Sequence, residues 1–379
     1  MMQYDYIIAA FNAFFVAVLA LQKKPGTTHD NLLVGWLAYL GFFVGAYVIS
    51  PPDFFPHYPI LSSSFISLFL LHGPFLYLYI NYLASGSRAF RTNDLWHFFP
   101  VVLFNLYLLI SLLLPRVSER ISLDHVSGHT NPPTIYMLFL LLTVISGPVY
   151  IFLSINVLRK HHFAVFDYFS YSEKVDLKWL RTLVAIFGIV WTSLMIITVI
   201  HHVFHLFSMA FCTDGLFLSL SVFILLIGYF GLRQEAIFVS GSRDTLSTES
   251  RKTEKARHQG PLPDANAAAR HLERLQQVMV SEKAYLEAGL TLPQLATMAG
   301  ISTHELSRLI NEHLHKSFFD YVNGFRVEHA KHMIADPDND KLSLLGIAFE
   351  SGFNSKTAFN RVFKKLSGET PSEYRSSIR

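Results

Sequence analysis

Only one of the 379 residues is a cysteine, Cys212. That excludes an intrachain disulfide framework and zinc sites built on cysteine pairs. Charge is also scarce. Asp, Glu, Lys and Arg make up 16% of the chain, against roughly 25% in an ordinary water-soluble protein. Much of the polypeptide is therefore read as lying outside water. Catalytic signatures are missing too: the sequence has no phosphate-cradling glycine loop, no serine-hydrolase elbow, no His-Glu-x-x-His pair and no charge deep within an apolar run. It is not read as an enzyme, and no cofactor is expected. Net charge is only +3, so any basic surface for nucleic acid has to be local.

What is present falls into two halves. Before about Leu232 apolar runs dominate, whereas after Arg233 charges are dense and no run is long enough to cross a bilayer. A spanning helix takes about 20 mostly apolar residues. Seven stretches qualify: Tyr4–Leu21, Asn31–Ser50, Ile60–Leu83, Leu95–Leu114, Thr134–Leu158, Trp179–His202 and Gly215–Leu232. The expectation is a seven-helix membrane domain over residues 1–233. No Lys or Arg precedes the first run and no small-residue cleavage site follows it, so it is expected to stay as a span. Lys23 and Lys24, Arg88 and Arg91, and Arg159, Lys160 and Lys174 fall in the odd-numbered loops. Loops two and six have none, and loop four offsets Arg116 and Arg120 with Glu119 and Asp124. The positive-inside rule then places the N-terminus outside and everything after the seventh span in the cytoplasm. This is the pattern of a multi-pass protein of a cell membrane, the inner one if the source is a bacterium.

Histidines collect at the outer side: His57, His125, His129 and the group His201, His202 and His205. His201 and His205 are four apart and share a helical face, as a metal pair would. A metal or proton sensor is one reading, and ordinary interfacial histidines are the other. Within the spans, Asn12, His72 and Asn105 are favoured as interhelical hydrogen-bonding groups over marks of a ligand path. Gly73-Pro74 and Gly147-Pro148 are expected to kink their helices.

Residues 234–266 are rich in Ser, Thr, Gly, Pro and charge and read as a flexible cytoplasmic linker. A helix follows over Ala267–Ala288. Its Leu272, Leu275 and Met279 share a face that either packs on its own domain or forms the seam of a homodimer. Two helix-turn-helix patterns come next, at about 291–314 and 342–367. In the first, Pro293 suits a first helical turn, Gly300 makes the turn, and Ser302 with Glu305 forms a capping box. Leu306, Leu309 and Ile310 point inward, which leaves His304, Ser307, Arg308 and Asn311 outward. In the second, Gly352 makes the turn, Asn354 or Ser355 caps, and Phe359, Val362 and Phe363 point inward. Lys356, Thr357, Asn360, Arg361 and Lys364 are left outward. Ser317–Asp336 reads as one spacer helix between them. From Asn354 to Arg379 there are six basic residues and two acidic ones. Arg and Asn side chains suit guanine and adenine edges in the major groove, and Lys suits phosphate.

Gly352, Ser355, Phe359, Arg361, Phe363, Lys364, Gly368, Pro371, Tyr374 and Arg375 resemble the signature of the AraC/XylS family of bacterial transcription regulators. The resemblance covers roughly Leu272–Arg379 and leaves the first 240 residues untouched. It implies a seven-helix DNA-binding domain over 267–379 whose two recognition helices enter successive major grooves. By position, the family's base-contacting sites fall on His304, Ser307 and Arg308, and on Lys356, Thr357, Asn360 and Arg361. It also implies promoter DNA and RNA polymerase as partners. The whole is an all-α chain expected to sense an unknown small molecule or physical signal and to bind DNA beside the lipid bilayer. The rival reading is a seven-helix transporter or receptor whose cytoplasmic domain is only regulatory.

Overall fold

The chain was analysed as a computed structural model. It describes residues 2–22, 26–50, 58–86, 89–114, 133–171, 177–204, 209–233 and 265–378. Among the described residues all regular structure is helical, apart from one isolated antiparallel bridge between Phe169 and Thr291. The chain divides into two units. One holds Met1–Arg159 and Lys178–Ile237, and the other Lys160–Leu177 and Phe238–Arg379.

The first unit contains α1 (Met2–Leu21), α2 (Thr28–Ile49), α3 (Pro59–Ser67), α4 (Phe69–Ser85) and α5 (Phe99–Leu112). It continues with most of α6 (Thr134–Tyr168), then α7 (Lys178–Phe204) and α8 (Met209–Arg233). Six segments are long and apolar enough to cross a membrane: Thr28–Ile49, Pro59–Ser85, Thr92–Leu112, Thr134–Tyr168, Lys178–Ile197 and Asp214–Gly231. Tyr6–Leu21 is a shorter apolar helix.

Glycines in these helices make room for large side chains of their neighbours. A Cβ on Gly73 would lie 2.4 Å from Tyr150, one on Gly147 2.6 Å from Trp191, and one on Gly188 2.7 Å from Ile151. Polar groups tie helices together. Asn105 accepts from Ser64 Oγ at 2.5 Å and donates to Ser67 Oγ at 2.7 Å, and Ser63 Oγ meets Tyr136 Oη at 2.9 Å. Asn105 thus acts as the interhelical hydrogen-bonding group read from sequence.

Two boundaries differ from the sequence expectation. The third apolar run is two helices, interrupted at Leu68 rather than at Gly73-Pro74. The Leu68 carbonyl accepts from the Tyr39 hydroxyl at 2.7 Å and from Leu71 N at 2.9 Å, so its ordinary helical partner is displaced there. Pro148 lies inside an unbroken α6. That helix also continues past the expected end at Leu158 to Tyr168. Arg159, Lys160, His161 and His162 end an apolar run, but nothing in them ends a helix.

In the second unit, α9 (Ala265–Val280), α10 (Leu292–Ala299), α11 (Thr303–Arg308), α12 (Phe318–Ala335), α13 (Leu344–Glu350), α14 (Lys356–Ser367) and α15 (Pro371–Ser377) make seven α-helices among the described residues. Two apolar clusters hold them. One gathers Leu275, Met279, Leu295, Leu306, Ile310 and Val322, and the other Phe319, Val327, Ile347, Phe359, Val362 and Phe363. The spacer helix α12 feeds both. Leu275 and Met279 are fully buried in their own unit, so the face that sequence left open to a dimer seam is already occupied. The linker residues 234–264, His57, His125, His129 and His205 lie outside what is described, as does the side chain of His201, so the expected His201–His205 pair is not tested. Among the described residues there is no group of three potential metal ligands.

The close approach of Gly73 to Tyr150 is expected to be intolerant of a side chain. Gly73→Ala should lower bundle stability by about 1–3 kcal/mol through overpacking. Thermal unfolding of the detergent-purified full chain checks this, with Gly289→Ala as the control, whose added Cβ would meet only Glu287 Oε1 at 3.9 Å.

Candidate nucleic-acid interface

The first helix pair is set by its caps. Thr291 and Gln294 form a capping box at the start of α10, with Pro293 in the first turn. The helix stops at Gly300, whose φ of 65° is left-handed, and Ile301 N returns to Ala296 O at 3.0 Å. Ser302 then caps α11: its Oγ accepts from Glu305 N at 3.2 Å, and Glu305 Oε2 accepts from Ser302 Oγ at 2.6 Å. That bond to Ser302 holds the Glu305 carboxyl below its ordinary range. A short π-helical stretch, Leu309–His313, extends α11. Leu306, Leu309 and Ile310 are buried as expected. His304, Ser307, Arg308 and Asn311 are half-buried rather than free-standing. Arg308 pairs with Glu312 one turn on at 3.4 Å, and Asn311 Nδ2 donates to Ser307 Oγ at 3.4 Å. Arg308 would have to exchange Glu312 for a base or phosphate, a small cost for a surface pair.

The second pair repeats the plan. Ser343 caps α13, Gly352 turns with φ 83°, and Ser355, not Asn354, caps α14 by accepting from Ala358 N at 3.0 Å. Phe359, Val362 and Phe363 are buried. Lys356, Thr357, Asn360, Arg361 and Lys364 are all exposed along one helix, a row of donors matched to groove and phosphate. Gly368 (φ 89°) ends α14, Thr370 and Glu373 box the start of α15 at Pro371, and Tyr374 packs on Phe363 with ring centres 5.6 Å apart. Lys365 reaches Asp320 at 2.6 Å and ties α14 to the spacer helix.

Gly352 carries a second constraint. A Cβ there would lie 2.6 Å from Tyr285 O and 3.0 Å from Leu286, so the turn of the second pair abuts the backbone that leads into the first. Sequence reading missed the residue that anchors this backbone, Arg326. Its side chain is buried, and its Nε donates to Tyr285 O and its Nη2 to Glu287 O, each at 2.7 Å. The signal was present: Phe319, Asn323, Arg326 and Ala330 fall on one helical stripe, so an arginine occupies a core position.

A separate candidate site lies within the first unit. Trp36, Phe69, His72, Phe187, Trp191 and Phe223 line a cavity of about 20 Å³, room for about one water. The indole N–H groups of Trp36 and Trp191 are buried with no hydrogen-bond acceptor among the described residues, and His72 Nε2 meets Tyr39 Oη at 3.3 Å.

The two turn glycines should respond differently to substitution. Gly300→Ala meets nothing within 4 Å and is expected to cost only the left-handed strain, about 1–2 kcal/mol. Gly352→Ala adds a clash with Tyr285 O and should cost clearly more. Chemical denaturation of the full chain, followed by helical circular dichroism, ranks the two.

Residues 295–377 match the family described as a helix-turn-helix domain. The HTH-type transcriptional regulator GlxA of Rhizobium meliloti (strain 1021) is 32% identical over 101 residues, 27% of this chain and 30% of that protein. An uncharacterized HTH-type transcriptional regulator of Staphylococcus aureus (strain COL) is 31% identical over 103 residues, 27% of this chain and 13% of that protein. The chain thus spans under a third of the length of either relative. No solved structure matches it. The C-terminal part of the chain is a helix-turn-helix domain of the AraC type.

Proposed function

We propose that the chain is a membrane-anchored one-component transcription regulator. The observation that carries this reading is the covalent union of long apolar helices with a helix-turn-helix domain that exposes Lys356, Thr357, Asn360, Arg361 and Lys364 on one helix. The apolar helices turn large side chains outward: Phe11, Val102, Leu109 and Phe152 are each at least 60% exposed. Such faces suit lipid and not water. We count α1 as a seventh span beside the six longer segments. An odd number, with Lys and Arg in the odd loops, puts the DNA-binding domain in the cytoplasm. Both helix pairs act as DNA readers, with α11 and α14 in successive major grooves of promoter DNA. RNA polymerase is the further partner of a regulator so placed. Two relatives whose names call them transcriptional regulators support carrying that role over.

The signal is received in the bundle. Its candidate receiver is the cavity beside His72, which at about 20 Å³ takes about one water and would have to widen for any larger ligand.

Chromatin immunoprecipitation of the tagged full chain, alongside Arg308→Ala/Arg361→Ala, tests the regulator reading. Discrete promoter peaks that vanish in the double variant are expected, and peaks unchanged by it would refute the assignment. In vitro, Arg361→Ala should cost about 1–3 kcal/mol at one base pair of the site, whereas Lys364→Ala should weaken every sequence alike and flatten the salt dependence. Quantitative mobility shifts at several salt concentrations separate the two.

A further inference from the structure

The second unit includes a piece of chain from far upstream, Lys160–Leu177. It is the end of α6 and the residues after it. Val165, Phe169 and Ser170 are buried, Ser170 almost completely at 1% exposure. Phe166 packs edge-on against Phe319 with ring centres 4.8 Å apart and joins the apolar cluster of the second helix pair. Tyr168 joins the cluster of the first. Phe169 bridges Thr291, the cap of α10.

Ser170 uses every polar group it has. Its N–H and hydroxyl both donate to Leu290 O, at 3.2 and 2.7 Å, and its carbonyl accepts from Asn323 Nδ2 at 3.0 Å. It also completes Arg326. A guanidinium has five N–H donors, and five acceptors surround this one: Tyr285 O, Glu287 O, Asn323 Oδ1, Ser170 O and Ser170 Oγ. Removing the segment would strand two donors of a buried cation. Such a penalty marks a built contact rather than an incidental one.

We propose that Val165–Tyr171 is an intramolecular staple: the DNA-binding domain carries a docking surface for this segment of its own chain, and docking sets the spacing of the two helix pairs. The segment grips a cluster on each side of α12, so it opposes any hinge between them. It does not act as a plug. Ser170 and Tyr171 line an open cleft shared with Arg361 and Asn354, and yet Lys356, Thr357, Asn360, Arg361 and Lys364 remain exposed. Two rigidly spaced modules bind a two-part site through effective concentration, which loose modules lose. Because the segment continues α6, a change in the bundle reaches the DNA domain through it. This last step rests on the regulator reading; the staple itself does not.

The test uses the full chain in lipid nanodiscs with Cys212→Ser. The DNA is a duplex selected by that chain from a random pool, and the same duplex with one half-site scrambled. Phe169→Cys/Thr291→Cys replaces the bridged pair, whose spacing suits a disulfide. It should oxidise readily and keep its affinity for the two-part duplex. Adding Phe166→Ala/Ser170→Ala should slow that disulfide and weaken two-part binding by about tenfold or more, with the scrambled duplex changed by less than about twofold. Loss of DNA binding in the oxidised chain would overturn the staple in favour of a plug. A slowed disulfide with unchanged two-part affinity would overturn it outright. Failure of the starting chain to select any duplex would instead bring down the regulator reading.

Discussion

The second unit is organised around one buried cation. Arg326 has no carboxylate bonded to it; its partners are three backbone carbonyls, an amide oxygen and a hydroxyl. Burial pulls its pKa down to about 10, with Glu287 opposing that shift, so it stays charged at neutral pH. A buried charge costs several kcal/mol unless its hydrogen bonds are complete, and completeness here fixes three separate pieces of chain at once. One bears Tyr285 and Glu287, between α9 and α10. Another is α12 itself. The last is Ser170. Gly352 then closes against the same Tyr285 carbonyl, so the turn of the second pair is referred to the oxygen that Arg326 holds. The position of the exposed row on α14 relative to that backbone follows from it.

The two units are stabilised by different physics. In water, the C-terminal helices gain by removing Leu, Ile and Phe from solvent, and short helices such as α11 and α13 hold only because their buried faces and caps are both satisfied. Between the apolar helices of the first unit, many of whose large side chains face outward, that gain is smaller. Gly73, Gly147 and Gly188 make room on α4, α6 and α7 for Tyr150, Trp191 and Ile151 of a neighbouring helix, and Asn105, Ser63 and Tyr39 add the directional ties.

Much of this was legible beforehand because it is local. Apolar runs announced the long apolar helices, and the residues Ser302 with Glu305, Gly300, Gly352 and Ser355 announced the turns and caps, since each acts on backbone within four residues. What escaped notice is long-range. The reach of α6 to Tyr168 was hidden because hydropathy reports the solvent a segment prefers and not where its helix ends. The Leu68 interruption depends on a Tyr39 hydroxyl 29 residues away. Arg326 and Ser170 are 156 residues apart, and nothing near Ser170 in sequence says that it completes a guanidinium. Lys356, Thr357, Asn360, Arg361 and Lys364 are exposed as the helical spacing implied, but Arg308 was read as open when a glutamate one turn on already holds it.

The placement of Lys160–Leu177 changes what a break in the chain would do. The connection after α8 reads as a tether, and a tether is where a protease cuts. A cut between Arg233 and Ala265 severs the only backbone path from α8 to the helix-turn-helix helices. It leaves untouched the bonds of Ser170 to Leu290, Asn323 and Arg326 and the contact of Phe166 with Phe319. The nicked domain remains bound to residues that are continuous with α6. A single cleavage therefore produces a two-chain protein, not a diffusible fragment, and liberation into solution takes a second event that dislodges the staple.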